Sequence, residues 1–581
     1  MDQISNLVQS NNQSSTASPT PIVGLSRLAT IADATRSVLH GLSDSDLKDH
    51  SLVEQMVLKE CQSRIRTENV FREKGDKWRS IDALLPSQIA DIIAYSYNVV
   101  RVVTTSNSKV DTDADLVAFY QDSGEDEGIY SASADFFASV VRSYNYALSS
   151  KDVNEVMFAL KPLIPRVFAC RERNLVAVNN GIFDYDTKTL MPFDPKYVFL
   201  VKSRVNYNPN ATNVVIHNSD DGTDWDVESW MKCLSDDPEI VDLLWQILGA
   251  IIRCNVPWDK SAWFYSESGN NGKGTLCVLM KALCGEGSYA SISLSDFSKD
   301  FMLEPLIHAQ AIIVDENDVG TYIDKAANLK AVITGDTIMV NRKYKTPVII
   351  NFRGFMVQCL NEMPRIRDRS DSFFRRQLFV PFTKTFTGAE RKYIKNDYLK
   401  RKEVLEYVLL KVLRDTNYYE LTIPASCLDA LEMYKEFVDP VRAFLMEMMP
   451  QFKWDLLPYK FLYDLYVVWY RNISGGDRNV RGRPSFIKDV QRLVQEQYPA
   501  WGFTDKIPIR PGSRMDDAEP LIAEYDLKEW MEPKYISSKD VNAKCHPVLA
   551  DKYRGVYRLV RQVGSDDDVA EASDTMVVLN E

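Results

Sequence analysis

A glycine-rich segment near the middle of the 581-residue chain carries the residue types that bind phosphate groups. A phosphate-binding loop needs glycines that let backbone N–H groups converge on oxygen anions, a helix N-terminus behind them, and a lysine that reaches the outer phosphates. The segment follows the apolar residues 263–265 and precedes an apolar helical pattern that starts at Leu276. Its candidate phosphate ligands are Gly269, Asn270, Asn271, Gly272, Lys273, Gly274 and Thr275.

The segment departs in two places from the usual phosphate-loop pattern G-x-x-x-x-G-K-[ST]. Glu267 stands where the first glycine is expected, and Gly274 occupies the place of the usual serine or threonine, with Thr275 one residue later. The Gly-Lys-Gly-Thr ending also resembles adenylate-kinase-type loops, so the departures are compatible with nucleotide binding. A glycine-rich turn without a ligand is the alternative interpretation.

Two adjacent carboxylates follow the apolar strand pattern at 311–314. In a nucleotide hydrolase the first carboxylate at such a strand end holds Mg²⁺, directly or through water, and the second polarises the attacking water. Asp315 and Glu316 fit these two roles, and Thr275 is the other candidate metal ligand. Because strand ends often meet solvent and carry charge, the pair is informative only together with the glycine-rich loop.

An asparagine ends the next apolar strand pattern, at 355–360. An amide in this place can donate to the outermost phosphate or orient a water molecule. Asn361 lies 46 residues after Asp315, which lies 42 residues after Lys273. A lone asparagine is usually a turn residue, but this order of motifs favours a sensor of the intact nucleotide.

Two arginines precede a further apolar strand pattern that begins at Gln377. A guanidinium stabilises charge on a transferring phosphoryl group, and hydrolysis depends on assembly when a neighbouring subunit supplies that group. Arg376 is the first candidate for this role and Arg375 the second. One of the two could instead bind a carboxylate.

The elements that must position these residues alternate between strand and helix from Ala262 onward. Each strand pattern is a short apolar run that ends in polar residues, as expected for strands buried on both faces of a parallel sheet. Such a sheet carries its chemistry at the carboxyl ends of its strands. The predicted fold class is therefore multidomain α+β with a central P-loop α/β domain.

Composition and periodicity divide the chain into six regions. Residues 1–22 are rich in Ser, Asn, Gln, Thr and Pro and are expected to form a flexible tail. Within the region 111–226, the acidic, turn-rich stretch 217–226 is predicted to be a linker to the next domain. The other predicted regions are a helical N-terminal region at 23–110, an accessory α+β domain at 111–226, the α/β domain at 227–415, a helical C-terminal domain with a helix-turn-helix or winged-helix unit at 416–560, and an acidic tail at 561–581.

The composition excludes several classes of protein. With 45% hydrophobic and 26% charged residues, the chain is not wholly disordered, collagen-like or a disulfide scaffold. Its net charge of −12 excludes bulk attraction to nucleic acid or to an anionic membrane, so a nucleic-acid site must be a local basic patch. Nine scattered cysteines and five histidines show no zinc-ligand spacing. Without a signal segment or apolar span, we expect a reduced cytoplasm, that of a host cell, and no membrane contact.

The order of motifs resembles the superfamily 3 helicases, which are AAA+ ATPases of small DNA replicons, and within them the phage, plasmid and poxvirus primase-helicase group. Residues 269–275 are similar to the group's loop G-x-N-G-K-[SG]-[TSV], and Asp315-Glu316 to its acidic strand end. Three further likenesses follow in order: Gly335 to Ile338 with its G-D-x-[IL] segment before a basic-aromatic hairpin, Asn361 to Pro364 with its N-x-x-P strand end, and Arg375-Arg376 with its R-R before a strand that ends in P-F.

This resemblance implies an ATP-dependent, Mg²⁺-requiring DNA helicase with an AAA+ core, active as a homo-oligomeric ring, expected to be a hexamer, that moves 3′ to 5′. It implies that ATP sits between subunits, that Asn271, Lys273 and the loop amides hold phosphates, and that Arg376 arrives from the neighbour. It also implies an accessory domain over about 115–255 and a winged-helix end over 462–493. The first 100 residues match no motif of the group.

The charge distribution favours a local DNA site independently of the resemblance. Residues 341–402 contain 16 lysines and arginines and five carboxylates. Arg342, Lys343 and Lys345 are expected to touch the phosphates of one strand in the channel of a ring, while Tyr344 packs or stacks. A solvated basic face is the alternative. The candidate duplex-DNA residues of the C-terminal region are Arg478, Arg481, Arg483, Lys488 and Arg492.

Three rival functions stay open. A helicase fused to an active primase needs clustered metal-binding carboxylates, and only Asp111-Thr112-Asp113 has that form, in a setting typical of a turn, so a separate primase partner is expected. An origin-binding replication initiator could use ATP only as an assembly switch. A small-molecule kinase is disfavoured by the chain length and by Asn361 and Arg376, which a monomeric kinase does not need there.

Overall fold

The computed structural model describes residues 25–105, 114–318, 320–323, 325–343, 345–387, 391–474 and 480–559. Both predicted tails, at 1–22 and 561–581, lie outside these residues. So do the Asp111 to Asp113 motif, Tyr344 at the hairpin tip and Arg478.

The first unit joins helices to a four-stranded sheet, in the order β3-β2-β1-β4. The buried side chains of its helices pack with Val99 and Phe119 of the sheet in one hydrophobic core, whereas Val100 and Val102 enter a different core. Because β1 pairs antiparallel with β2, the domain boundary predicted at residue 110 runs through one packed unit. Its elements are α1 (Arg27–Gly41), α2 (Asp44–Leu47), α3 (His50–Val70), α4 (Pro86–Ser96), β1 (Val99–Val103), β2 (Leu116–Tyr120), β3 (Tyr130–Ser131), α5 (Ala134–Tyr144), α6 (Ser150–Leu160) and β4 (Arg166–Phe168).

A β-rich segment follows, as predicted for residues 174–207. The strands β5 (Leu175–Val178), β6 (Gly181–Asp184) and β7 (Thr189–Met191) form an antiparallel sheet. The next stretch is a hairpin of β8 (Ile216–Asn218) and β9 (Thr223–Trp225).

The prediction of a linker at 217–226 is therefore wrong. The side chains of two residues close the turn: Asn218 Oδ1 accepts from the Asp220 amide at 2.8 Å, and Asp221 Oδ1 accepts from the Thr223 amide at 3.0 Å. Trp225 is buried in the large core that the hairpin shares with the α/β domain, which anchors the stretch.

The central domain is a five-stranded parallel sheet in the order β11-β12-β16-β10-β18. Every residue of β12 and β16 is buried, as the apolar runs predicted. Alternate residues of β16 enter different cores, Val357 on one face of the sheet and Met356 on the other. The elements are α7 (Val227–Cys233), α8 (Pro238–Ile252), β10 (Ser261–Tyr265), α9 (Lys273–Cys284), β11 (Tyr289–Ala290), β12 (Ala311–Val314), β13 (Tyr322–Ile323), α10 (Ala327–Thr334), β14 (Thr337–Arg342), β15 (Lys345–Asn351), β16 (Phe355–Leu360), β17 (Arg365–Ile366), α11 (Asp371–Phe374) and β18 (Gln377–Pro381).

Three helices close this domain: α12 (Lys392–Asn396), α13 (Lys402–Arg414) and α14 (Ala425–Val438). In α14, Tyr434 packs against Phe379 of β18, with ring centroids 4.6 Å apart, and against Trp263 of β10 at 5.8 Å. The boundary predicted at residue 415 thus leaves α14 outside a domain whose core it completes.

The C-terminal unit has a separate hydrophobic core that begins at Val441. Its three strands form an antiparallel sheet in the order β19-β21-β20. The molecule is thus a multidomain protein of mixed α/β type, and among the described residues no helix is both long and apolar enough to cross a membrane. The elements of the unit are α15 (Pro440–Met448), β19 (Leu456–Pro458), α16 (Tyr459–Ser474), α17 (Arg483–Gln497), β20 (Trp501–Phe503), α18 (Leu521–Glu524), α19 (Val541–Lys544) and β21 (Gly555–Arg558).

Candidate phosphate-binding site

The glycine-rich loop connects the carboxyl end of β10 to the first residue of α9, which is Lys273. Gly272 precedes the helix with φ +86°, in the left-handed region that favours glycine. A Cβ on this residue would lie 2.6 Å from Leu234 Cδ2, so there is also no room for a side chain. The local geometry requires glycine here, and the amide of Lys273, the first of α9, donates to Asn271 Oδ1 at 3.3 Å.

The Lys273 side chain is buried, and its amine is surrounded by oxygens. Its Nζ donates to the Ser266 carbonyl at 3.2 Å, to the Leu360 carbonyl at 3.1 Å and to Asn361 Oδ1 at 3.0 Å. Burial lowers the pKa of Lys273 from its usual value, whereas the neighbouring Cys359 and Cys277 raise it. The structure therefore brings two sequence-predicted residues, Lys273 and Asn361, into direct contact.

The remainder of the loop is braced from within and from the segment after β18. Asn271 Nδ2 donates to the Ser268 carbonyl, and the Asn270 carbonyl accepts from the Phe386 amide at 2.7 Å. The Ser268 and Thr385 hydroxyls lie 3.1 Å apart. These bonds fix the conformation of the loop at the carboxyl end of β10.

The structure accommodates the two residues that depart from the usual phosphate-loop pattern, Glu267 and Gly274. The Glu267 carboxylate accepts from the Tyr265 hydroxyl at 2.7 Å and points to the protein surface. A Cβ added to Gly274 would meet only Lys395 Nζ, at 3.9 Å, so a serine fits here. Gly269 has open space around it, and Thr275 is half-buried in the first turn of α9.

The acidic pair directly follows β12, at the same edge of the sheet as the loop. Asp315 and Glu316 are both exposed, and Asp315 Oδ1 lies 3.4 Å from Lys281 Nζ on α9. Strands β12, β16 and β10 are neighbours, so this pair, Asn361 and the loop follow the carboxyl ends of adjacent parallel strands. Exposed carboxylates at such a strand end can bind a hydrated cation or activate water.

A buried amide network fixes the backbone behind the acidic pair. Asn317 Oδ1 accepts from the Leu294 amide at 3.0 Å, and its Nδ2 donates to Gln358 Oε1 at 2.9 Å. Gln358 Nε2 in turn donates to the Ile292 carbonyl at 3.0 Å. The residue after the pair is thus anchored to β16 and to the segment that follows β11.

Two buried cysteines form the floor beneath Lys273. The Sγ atoms of Cys277 on α9 and Cys359 on β16 lie 3.3 Å apart. The contact with Cys277, together with burial, raises the pKa of Cys359. The contact and the burial therefore favour the neutral thiol of Cys359.

The two arginines lie at the opposite edge of the sheet. Arg375 and Arg376 precede β18, which runs parallel to β10, and the Arg376 carbonyl accepts from the amide of Ser261, the first residue of β10. A five-residue strand of about 16 Å separates that edge from the loop. Arg375 is exposed, whereas Arg376 is half-buried and donates to the Ser372 carbonyl.

The predicted basic hairpin is present as β14 and β15. Its tip carries Lys343 and Lys345, both exposed, while Arg342 is half-buried and lies 3.5 Å from Glu304. At the base, Thr104 Oγ1 donates to the Ile349 carbonyl at 2.6 Å, which ties the hairpin to the N-terminal unit.

Sequence reasoning missed Lys395, Lys281 and the Asn317 amide. Lys395 lies 122 positions after Lys273, on the short helix α12, and reaches the loop only because α12 packs against α9. No local pattern marks it. The spacing of Lys281, eight residues after Lys273 on one helix, could have placed it on the same face.

Comparison with known proteins finds two family models on separate parts of the chain. Residues 102–247 match the model described as D5 N terminal like. Residues 264–376, which contain the loop, the acidic pair and the hairpin, match a family of unknown function, DUF5906. The chain is thus similar to two families over adjoining segments.

Two solved structures of the NrS-1 C-terminal region are also similar. The A-form apo structure of the C-terminal region is 13% identical, with a TM-score of 0.38, over 71% of this chain and 86% of that chain. The A-form apo structure of residues 305–718 is 13% identical, with a TM-score of 0.39, over 81% of this chain and 99% of that chain.

Proposed function

We propose that this chain is a Mg²⁺-dependent ATPase that drives DNA unwinding during replication, as a replicative helicase of the phage and plasmid primase-helicase type. One observation carries the proposal: the buried amine of Lys273 bonds to Asn361 at 3.0 Å across the ends of neighbouring strands. A lysine of a phosphate loop and an amide that senses the outermost phosphate must meet in this way.

Different residues at the carboxyl edge bind the phosphates, the metal ion and the attacking water. Lys273, Asn271 and the backbone amides of residues 269–275 hold the phosphates, as the residues of a glycine-rich loop before a helix can. Thr275 and Asp315 hold Mg²⁺, and their hydroxyl and carboxylate oxygens are the donors that this ion prefers. When bound, the ion neutralises charge that develops on the phosphates. Glu316 accepts the proton of the attacking water, and Asn361 orients that water.

The strand order supports an AAA+ type of core. The loop strand β10 lies between β16, which ends at Asn361, and β18, and the acidic strand β12 is one place further out. The match of residues 102–247 to the D5 N terminal like family supports an accessory domain in front of such a core.

The position of the arginines supports an assembly of several copies. Arg375 and Arg376 lie a full strand length from the loop of their own chain, so they can serve only the loop of another copy. Arg375 is exposed and Arg376 is tied to Ser372, which reverses the order of preference predicted from sequence. A closed ring, expected to be a hexamer, gives each loop an arginine from its neighbour.

DNA passes through the ring in this proposal and contacts the exposed Lys343 and Lys345 at the hairpin tip. The order of elements in the C-terminal unit supports a winged helix: α15, β19, α16, α17, β20 and β21. Such a unit binds duplex DNA through its third helix, here α17.

The same C-terminal unit favours a second candidate, an origin-binding initiator in which ATP controls assembly without unwinding. A strand-displacement assay on a forked DNA duplex separates the two functions. The helicase proposal predicts ATP-dependent release of the displaced strand that Lys273→Ala abolishes. Binding of duplex DNA that depends on ATP, without any strand release, would replace it with the initiator.

A further inference from the structure

A cavity of about 110 Å³ lies between the N-terminal unit and the central domain. We call it the seam cavity. The segment after β4 forms one wall, and the turn between β15 and β16 forms another. Each wall contributes one guanidinium, that of Arg171 after β4 and that of Arg353 in the turn. Among the described residues, no carboxylate lines the seam cavity.

Backbone contacts fix both walls of the seam cavity. On the first wall, the Cys170 amide donates to the Val198 carbonyl at 2.8 Å. On the second wall, a Cβ on Gly354 would lie 2.2 Å from the Gln310 carbonyl oxygen, so the turn packs closely against the segment before β12. Both arginine side chains therefore extend from backbone that is held in place by its neighbours.

The two guanidiniums have no acidic partner in the described part of the chain. Arg171 Nη2 is buried and lacks a hydrogen-bond acceptor there, and its guanidinium carbon lies 5.7 Å from the centroid of the Phe168 ring. Glu172, the next residue, is exposed and forms no ion pair with either arginine among the described residues. Burial lowers the pKa of Arg171, and the neighbouring charge of Arg353 lowers it further. Like charges held together, one with an unused buried N–H, favour an anionic ligand.

The charge and the size of the seam cavity select the kind of anion. Two guanidiniums without a carboxylate match a dianion, and a terminal phosphate group carries a charge of about −1.5 to −2 at neutral pH. The planar N–H fork of arginine also matches the spacing of phosphate oxygens. A cavity of about 110 Å³ admits one tetrahedral oxyanion, whereas a drug-sized ligand needs roughly 300 Å³ or more.

We propose that the seam cavity binds a phosphate dianion through Arg171 and Arg353, either as inorganic phosphate or as the terminal phosphate of a nucleotide or a DNA strand. The anion then contacts both units at once, because Arg171 belongs to the N-terminal unit and Arg353 to the central domain. Its binding stabilises the folded arrangement of the two units. No residue of the glycine-rich loop lines the seam cavity, so this site does not depend on the proposed ATPase activity.

The test is equilibrium dialysis of the full chain against radiolabelled inorganic phosphate at constant ionic strength. Arg171→Gln and Arg353→Gln should each raise the Kd at least about tenfold, because each removes charge-assisted hydrogen bonds to the anion. Arg66→Gln, which removes an exposed arginine of α3 outside the cavity, is the matched control and should leave the Kd unchanged. A second series of the same variants carries Lys273→Ala, which excludes phosphate binding at the glycine-rich loop, and should show the same losses.

Thermal unfolding separates a ligand site from a structural role of the arginines. In chloride buffer without phosphate, Arg353→Gln should raise the Tm by about 1 to 2 °C, because it relieves the repulsion of Arg171. Phosphate at about 10 mM should raise the Tm of the wild type by about 2 °C and leave that of Arg353→Gln unchanged.

Competition identifies the source of the phosphate group. A 5′-phosphorylated oligo-dT of about 10 nucleotides should displace radiolabelled phosphate, whereas the same strand with a 5′-hydroxyl should not, if a strand end enters the cavity. Displacement by thymidine monophosphate alone would assign the site to a nucleotide. Displacement by none of these would assign it to inorganic phosphate.

Undetectable phosphate binding by the wild type, or equal affinity in Arg171→Gln, Arg353→Gln and the control, would overturn the proposal. So would binding that Lys273→Ala abolishes, because the glycine-rich loop would then hold the phosphate. A lower Tm of Arg353→Gln without phosphate would also overturn it, since that arginine would then stabilise the fold by itself. A chain that binds phosphate in the seam cavity but does not hydrolyse ATP would defeat the proposed function alone.

Discussion

The two edges of the parallel sheet carry different residues of the site proposed for ATP hydrolysis. The carboxyl edge holds Lys273 and Asn361 in contact, with Asp315 and Glu316 on the neighbouring strand end. The amino edge holds Arg375 and Arg376, which no rotation of side chains brings to that loop across a strand of about 16 Å. In the proposed function, phosphate binding and charge stabilisation therefore lie at different edges, and only a second copy of the chain brings them together.

Mixing two inactive variants is the strongest test that the loop lysine and the arginine act from different copies of the chain. Arg375→Ala and Lys273→Ala should each lower ATP hydrolysis by about 10³-fold, because each removes a charge that stabilises the transferring phosphoryl group. An equimolar mixture should regain about a quarter of the wild-type rate, since random ring interfaces then pair an intact loop with an intact arginine in about one case in four. The measurement is phosphate release by the separate and mixed proteins.

The control is Lys273→Ala alone at the same total protein concentration. A mixture of the two variants that stays inactive would place both residues in the same functional site of one chain. The loop and the arginine would then not come from different copies of the chain.

Glu316→Gln tests the chemistry assigned to the carboxyl edge alone. The amide cannot accept a proton from water, so hydrolysis should fall by about 10² to 10³-fold while ATP still binds. Phosphate release and equilibrium binding of a fluorescent ATP analogue measure the two effects. Glu286→Gln, at an exposed carboxylate beyond α9, should change neither. Loss of binding together with hydrolysis would show that Glu316 holds the ligand and is not the base.

Lys395→Ala tests whether the carboxyl edge contains a cation that comes from α12. Its amine lies beside Gly274 at the loop, so its loss should raise the KM for ATP about tenfold and change kcat little. Steady-state kinetics check this, with Lys392→Ala, an exposed lysine of the same helix, as the matched control. A fall in kcat at unchanged KM would contradict a role in binding.

Gly274→Ser should have the smallest effect. A Cβ here is in ordinary contact with Lys395 Nζ, so the serine fits, and the hydrolysis rate should stay within about threefold of wild type. A collapse of the rate at unchanged thermal stability would show that a hydroxyl at 274 disturbs Thr275 as the ligand of the metal.

The sequence predicted the sheet better than it predicted the domain boundaries. The strands at 261–265, 311–314 and 355–360 are buried on both faces and therefore appear as continuous apolar runs. The boundary near residue 415 depends on Tyr434, which packs on Trp263 more than 150 residues earlier, and no local pattern reports such a contact.

In the candidate site, too, local sequence patterns could be predicted, whereas long-range packing contacts could not. Strand ends and the loop could be located from spacing, because parallel strands bring their carboxyl ends together. The placement of Lys395 beside Gly274 and the burial of Asn317 between two strands arise from tertiary packing. The linker predicted at 217–226 failed for a local reason: Asn218 and Asp221 supply the turn that makes the stretch a hairpin.

The proposed function requires that the carboxyl edge hydrolyse ATP in a DNA-dependent assembly. The most direct measurement is the ATPase rate with and without single-stranded DNA, for wild type and Lys273→Ala, together with the mass in solution with nucleotide. We expect DNA-stimulated hydrolysis in a ring-sized particle, and no hydrolysis by Lys273→Ala. A monomer whose ATPase rate ignores DNA would contradict it.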